Sequence, residues 1–158
     1  MILLASRRHG WGGSYNWSVG MEGYRLFRKD RHGRWGGDVA LYVNDQLECM
    51  ELGLGKDEEP TDSLWIRIKG RAGTGDILVG VCYRPPGQED QADEALSRQI
   101  GTASHSQALV LVGYFNHPII CWRDNTAGYK QSRKFLECID NNSIDRGMLH
   151  IWKNSQPK

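Results

Sequence analysis

One short run, Ala108-Leu-Val-Leu-Val112, constrains this chain more than any other stretch. It is unbroken and apolar, too short to cross a bilayer, closed by Gly113, and followed by polar and turn-forming residues. An apolar run of that length bounded by turn signals reads as a buried central strand, covered on both faces and delivering its next residues to a loop. Alternate residues of a strand share a face, so at its exit Tyr114 and Asn116 are placed to point together into whatever crevice the sheet edge forms.

The rest of the chain supplies what such a strand needs around it. Ile2 to Ala5 reads as a short buried strand, and Ser6 to Gly13 as a loop. Tyr24 to Arg28 and Val39 to Val43 read as strands joined through the polar, glycine-bearing stretch Asp30 to Gly37, with Glu48 to Leu52 as a short edge strand. Leu64, Ile66 and Ile68 alternate with Trp65, Arg67 and Lys69, which predicts a half-buried strand; Gly70 to Gly75 turns the chain, and Ile77 to Tyr83 returns as another strand. Arg84-Pro85-Pro86-Gly87 cannot continue a sheet, because proline lacks the ladder donor and restricts the residue before it. Asp90 to Ser104 carries Ala92, Ala95, Leu96 and Ile100 near helical spacing, and Lys130 to Asp140 repeats that signature with Phe135, Leu136 and Ile139. Strands dominate the first half and strand–helix alternation the second, so the predicted class is α/β, not all-β.

Bulk properties narrow the function classes. At 158 residues the chain is long enough for one domain with its own core. No apolar run approaches the roughly 20 residues that a membrane span needs, and the apolar start at Met1 to Ala5 is too short for a signal-peptide core, which predicts an intracellular protein with no membrane partner. Cys49, Cys82, Cys121 and Cys138 are widely spaced and include no Cys-x-x-Cys pair, so they read as free, mostly buried thiols. The five histidines show no metal-ligand spacing, and Gly53-Leu54-Gly55-Lys56 fails the phosphate-loop pattern. Twenty Lys and Arg against 19 Asp and Glu leave a net charge of +1, but the distribution is uneven. Arg7 to Arg34 is basic and interleaved with aromatics, whereas Asp45 to Asp62 is acidic. A basic segment with aromatics suits phosphate contact and stacking, although a solvated hairpin with core aromatics would look the same.

The central segment, Val112-Gly-Tyr-Phe-Asn-His-Pro118, resembles the Gly-Asp-Phe-Asn-His-Pro motif of the endonuclease/exonuclease/phosphatase superfamily, in the form carried by LINE-type (non-LTR) retrotransposons. The resemblance continues in order through Gly20 to Asp30, Val39 to Val43, Ser63 to Lys69, Val81-Cys-Tyr-Arg-Pro-Pro86 and Ser132 to Glu137, and covers nearly everything from Trp11 to about Asn142. It implies a deoxyribonuclease I-like fold, a two-sheet β-sandwich flanked by helices. It divides the chain into a partial endonuclease domain over 1–142 and a divergent tail over 143–158. Because the family's opening strand and its closing Asp-His motif find no counterpart, the domain is expected to be incomplete at both ends.

The resemblance also implies a chemistry and shows where this chain departs from it. The family hydrolyses phosphodiesters with a divalent ion, usually magnesium, and magnesium takes oxygen ligands. The glutamate that supplies its principal ligand falls here on Arg8, a permanent cation where a cation would bind. The motif aspartate falls on Tyr114, whose phenol, with an ordinary pKa near 10, is neutral at pH 7. Asn116 keeps its motif identity, and Tyr83 matches the tyrosine that positions the phosphate. The resemblance therefore implies Asn116, Tyr83 and Tyr114 as the catalytic-site positions. It implies Arg84 and Asn116 as nucleic-acid contacts, to which the basic segment adds Arg28 and Lys29, and no metal ligand or cofactor is expected as the chain stands. Were a metal held nonetheless, Asp124 or Asp38 would have to supply a carboxylate.

The expected function is that of a remnant of a retrotransposon DNA endonuclease, probed by two alternatives: a non-enzymatic nucleic-acid-binding module on the same fold, or a translated fossil that folds poorly. The implied partners are DNA, held weakly and electrostatically, and a reverse transcriptase domain in the ancestral polyprotein.

Overall fold

The computed structural model describes residues 2–7, 21–29, 38–54, 61–84, 89–106, 108–115, 120–121, 123–145 and 149–151, with backbone alone for 2–7, 38, 114 and 149–151. The central strand predicted from the apolar run is β7, Ala108–Tyr114. It lies inside a five-stranded sheet whose order is β10-β7-β6-β5-β4. There β4 is Cys49–Leu52, β5 Asp62–Ile68, β6 Ile77–Tyr83 and β10 Leu149–Ile151. A smaller sheet, β1-β3-β2, is built from β1 (Ile2–Arg7), β2 (Tyr24–Lys29) and β3 (Asp38–Asn44), all antiparallel. The expected hairpin β2–β3 and edge strand β4 are present. The stretch 143–158, read from sequence as a divergent tail, contributes β10, which runs parallel to β7 with Leu149 opposite Leu111.

Two cores lie on opposite faces of the larger sheet. Between the sheets, Phe27, Val39, Leu41 and Val43 meet Leu64, Ile66, Ile68, Val79, Val81 and Tyr83. β3, β5 and β6 each place alternate residues on this side, as a pleated strand must, and β2 adds Phe27. The other face is covered by α1 (Asp90–Ala103) and α2 (Lys130–Asn141). Leu96, Ile100 and Ala103 of α1 and Phe135 and Ile139 of α2 pack there against Trp65, Leu78, Cys82, Leu111 and Phe115. The helices use the faces that their apolar spacing marked, with Ser132 and Gln99 as added buried positions.

The alternation in β5 predicted a half-buried strand, and the structure corrects it. Arg67 is exposed, but Trp65 is buried at 3% exposure. Gly80, its partner across the β5–β6 ladder, explains how. A Cβ on Gly80 would fall on the Trp65 ring and 2.9 Å from Leu111 Cδ2, so the indole occupies the space that a side chain would take. The ring then meets α1, where its Nε1 donates to Gln99 Oε1 at 3.0 Å. A periodicity argument sees two faces; it does not see that a helix covers the second one.

The cysteines also differ from expectation. All four are free, yet only Cys82 is buried, Cys49 and Cys138 are partly so, and Cys121 is exposed. Cys121 belongs to a small hairpin, β8 (Ile120–Cys121) with β9 (Thr126–Ala127), that the sequence reading passed over. Its turn includes Asn125 at φ 55°, a left-handed conformation that Asn tolerates better than most residues.

Replacing Gly80 by Ala should displace the Trp65 ring and destabilise the protein by about 1–3 kcal/mol in urea unfolding, the usual range for overpacking a filled core. Gly53→Ala, where a new Cβ meets nothing within 4 Å, serves as the control and should change stability by under about 1 kcal/mol.

Candidate functional site

Strand direction decides which side chains can gather. β6 and β7 are parallel and in register from Ile77 opposite Ala108 to Tyr83 opposite Tyr114, so both end at the same sheet edge. β5 begins at that edge, with Asp62 opposite Tyr83. The smaller sheet brings a third contribution, because β2 ends at Lys29, whose Nζ donates to the Thr61 carbonyl at 2.9 Å. Through the β2–β3 and β1–β3 ladders, Asp38 and Arg7 follow to the same end. One edge therefore collects the backbone positions of Arg7, Lys29, Asp38, Asp62, Tyr83 and Tyr114.

The close approach of β6 to β7 has a sequence cause. At Gly113 a Cβ would fall on the carbonyl oxygen of Cys82, so the two backbones meet at this point only because residue 113 is glycine. One residue later come Tyr83 and Tyr114, the two tyrosines that the resemblance marked.

Each predicted site residue has a definite standing. Tyr83 is buried at 8% exposure and closes the inter-sheet core at its edge. The Tyr114 backbone is its cross-strand neighbour. Arg8 and Asn116 lie outside the described residues, as does His117. Arg28 and Lys29 are exposed at the end of β2, and Lys29 also bridges the two sheets through Thr61.

Arg84, implied as a nucleic-acid contact, is engaged within the fold. Its side chain is 6% exposed, and its guanidinium engages Asp93 of α1 in a two-point pair, Nε to Oδ1 at 2.6 Å and Nη2 to Oδ2 at 2.9 Å. A fork-on-fork pair of this kind fixes direction as well as charge. It ties the exit of β6 to the first turn of α1, where Asp90 and Asp93 also suit the positive end of the helix dipole.

Next to this pair lies a buried polar cluster that the sequence reading missed. Gln99 Oε1 accepts from Trp65 Nε1 and from Ser63 Oγ, while its Nε2 donates to Thr61 Oγ1 at 2.9 Å. Thr61 and Ser63 hydroxyls are 3.1 Å apart. Gln99, Thr61 and Ser63 are buried at 4–5% exposure, so these bonds replace water that cannot reach them. The signal was available: Gln99 interrupts the apolar face formed by Leu96, Ile100 and Ala103, and a polar residue in that place needs partners. Since Thr61 also carries the carbonyl that takes Lys29, helix α1 positions a cation at the site edge through two intermediates.

The Lys29 ammonium is felt as far as Cys82 in the core. Burial pushes the Cys82 thiol up to about 12, against an opposing pull from the Lys29 ammonium. Cys82 is therefore a neutral core residue and not a nucleophile at physiological pH.

Magnesium is the ion that the resemblance implies. A hard divalent ion takes several oxygen ligands, usually with at least one or two carboxylates. Among the described residues no group of three or more His, Cys, Asp or Glu side chains is placed to hold a metal. At the edge itself, Asp62 is the one carboxylate with a described side chain; it is in register with Tyr83, and Lys29 binds the carbonyl of the preceding residue, Thr61. Asp124 is on the exposed β8–β9 turn, where it accepts from Cys121 Sγ at 3.2 Å. Among the described side chains, this edge therefore offers magnesium a single carboxylate.

No protein-family model matches the chain, and no curated protein does. In three dimensions it is similar to the endonuclease domain of TRAS1, a telomere-specific non-LTR retrotransposon, with a TM-score of 0.55 and 16% sequence identity. The match covers 77% of this chain and 53% of that one, so the chain spans about half the length of the structure it resembles. The fold is thus the α/β fold of a retrotransposon endonuclease domain, the deoxyribonuclease I-like class expected from sequence.

Asp93→Ala should leave the buried Arg84 guanidinium without its carboxylate and cost about 3 kcal/mol or more in urea unfolding, as breaking a buried pair from one side generally does. Asp90→Ala, which removes an exposed first-turn acid, should cost under about 1 kcal/mol.

Proposed function

We propose that this chain is a nuclease-fold remnant that holds duplex DNA weakly and does not cleave it. The observation that carries the proposal is the identity of residue 114. It occupies the exit of the central strand, in register with Tyr83, at the position where the resembled family has an aspartate. A phenol cannot stand in for a carboxylate toward magnesium or as a base near pH 7 without a large pKa shift. Arg8 at the family's glutamate position acts in the same direction, since a guanidinium repels the ion that the glutamate would bind.

What favours retained binding is the placement of Arg28 and Lys29 at the end of β2, exposed beside the edge where β6 and β7 stop. Lysine and arginine attract phosphates through charge and counterion release, a process that needs no metal. The non-enzymatic binding module and the nuclease remnant coincide on this point and differ only in history. A reverse transcriptase domain as ancestral partner belongs to the same proposal.

In a supercoiled-plasmid assay with magnesium, the protein should give no nicking above a no-protein control. Fluorescence anisotropy with a short duplex should show weak binding whose affinity falls linearly in log–log fashion with salt. Nicking that is abolished by chelator and by Asn116→Ala would overturn the remnant reading.

A further inference from the structure

Thr61 sits one residue before β5, beyond the last register pair with β6, Asp62 with Tyr83. There its side chain provides the anchorage, and the direction of every proton in that anchorage follows from the partners. Trp65 Nε1 can only donate, so the Gln99 atom it meets at 3.0 Å is the carbonyl oxygen, and Nε2 is the atom that faces Thr61 Oγ1. Gln99 Oε1 can only accept, which commits the Ser63 proton to it. The Ser63 hydroxyl oxygen, 3.1 Å from that of Thr61, is left to accept, so the Thr61 hydroxyl donates. The three side chains close a one-way ring: Gln99 to Thr61, Thr61 to Ser63, Ser63 to Gln99. Each bond of such a ring polarises the next, and no second arrangement satisfies all three members together with the indole.

The carbonyl of the residue so held accepts from Lys29 Nζ at 2.9 Å, and this bond spans the two sheets at the edge where β6 and β7 end. A carbonyl holds an ammonium without cancelling its charge, as a carboxylate would. Among the described residues Lys29 forms no ion pair, and Asp62, next in sequence to Thr61, is the carboxylate at this edge. The other two ammonium N–H groups are those that a phosphate can take. We infer that Thr61 is a positioning residue for DNA: locked by Gln99 and Ser63, its carbonyl fixes the Lys29 ammonium at the mouth of the sandwich, where it meets a backbone phosphate. The inference rests on the DNA-binding reading above and deepens it. A free lysine must order a long, flexible side chain when it meets a phosphate, whereas a tethered one has less freedom left to lose, so the tether raises affinity through preorganisation. A ring that served only the fold would have no effect on binding specific to residue 29.

The test is a double-mutant cycle read by anisotropy titration of the full chain with a short fluorescent duplex at several salt concentrations. It compares the parent with Lys29→Gln, Thr61→Val and the two combined, with Thr61→Ser as the conservative variant. Circular dichroism melts establish that each variant folds, and Ile139→Val, which trims the core under α2, is a destabilised control. Lys29→Gln should weaken binding and lower the log–log salt slope by about 0.9. Thr61→Val keeps the carbonyl and the side-chain shape but removes the hydroxyl, and should weaken binding about threefold to fivefold. Thr61→Ser, which keeps the ring, should stay within about twofold of the parent. Added to Lys29→Gln, Thr61→Val should change affinity by less than about 1.5-fold, a non-additivity that a merely structural role would not produce. Gln99→Leu breaks the ring from α1 and should behave as Thr61→Val does, which keeps the test open if Thr61→Val does not fold. If the parent binds no duplex, the DNA-binding reading fails and the positioning role with it. If the parent binds and Thr61→Val matches it, or loses equally with and without Lys29, or Ile139→Val loses as much, the positioning role is wrong while the broader reading stands.

Discussion

Everything in this molecule that bears on function depends on the parallel pairing of β6 with β7. Parallel strands cannot be joined by a tight turn, so the chain between them must cross over, and α1 is that crossover. The same geometry forces both strands to end at one edge. Gly113 permits the final close approach, since any side chain there would collide with the Cys82 carbonyl. The neighbouring register pair, Tyr83 and Tyr114, is a consequence of that approach.

A second layer of interactions holds the crossover in place. Trp65 lies in the gap left by Gly80 and reaches Gln99, and Arg84 reaches Asp93. Buried polar contacts of this kind contribute less to net stability than to uniqueness, because each is satisfied in only one docking of helix on sheet. Their reach extends to the site edge: Gln99 binds Thr61 through its side chain, and Thr61 holds Lys29 through its carbonyl. A cation at the mouth of the sandwich is thus set by a glutamine on a helix on the other face of the larger sheet.

Much of this was legible in the sequence, and the failures have physical causes. The apolar run of β7, the alternation of β5 and the helical spacing of α1 and α2 each rest on a local periodicity, and each element formed where its pattern lay. The burial of Trp65 was illegible because it depends on a glycine 15 positions away and on a helix further on. The two-residue strands of the β8–β9 hairpin are too short to carry a period, and β10 has too little pattern of its own to be told from a tail. At the site, the parallel register makes Tyr83 and Tyr114 cross-strand neighbours, a pairing that neither motif states by itself. Arg84 is a different matter. Nothing in its own neighbourhood of prolines and glycine announces an aspartate nine residues on as its partner, and only the turn of the chain into α1 brings the two together.

The account stands on the direction and register of the β6–β7 pair, and NMR reads both. Backbone nuclear Overhauser contacts in a labelled sample should run in parallel, joining Ile77 with the Ala108 end and Tyr83 with the Tyr114 end of β7. Contacts that instead place Tyr83 beside Ala108, or that leave β6 and β7 unpaired, would separate the two marked tyrosines and remove the common edge on which every functional statement depends.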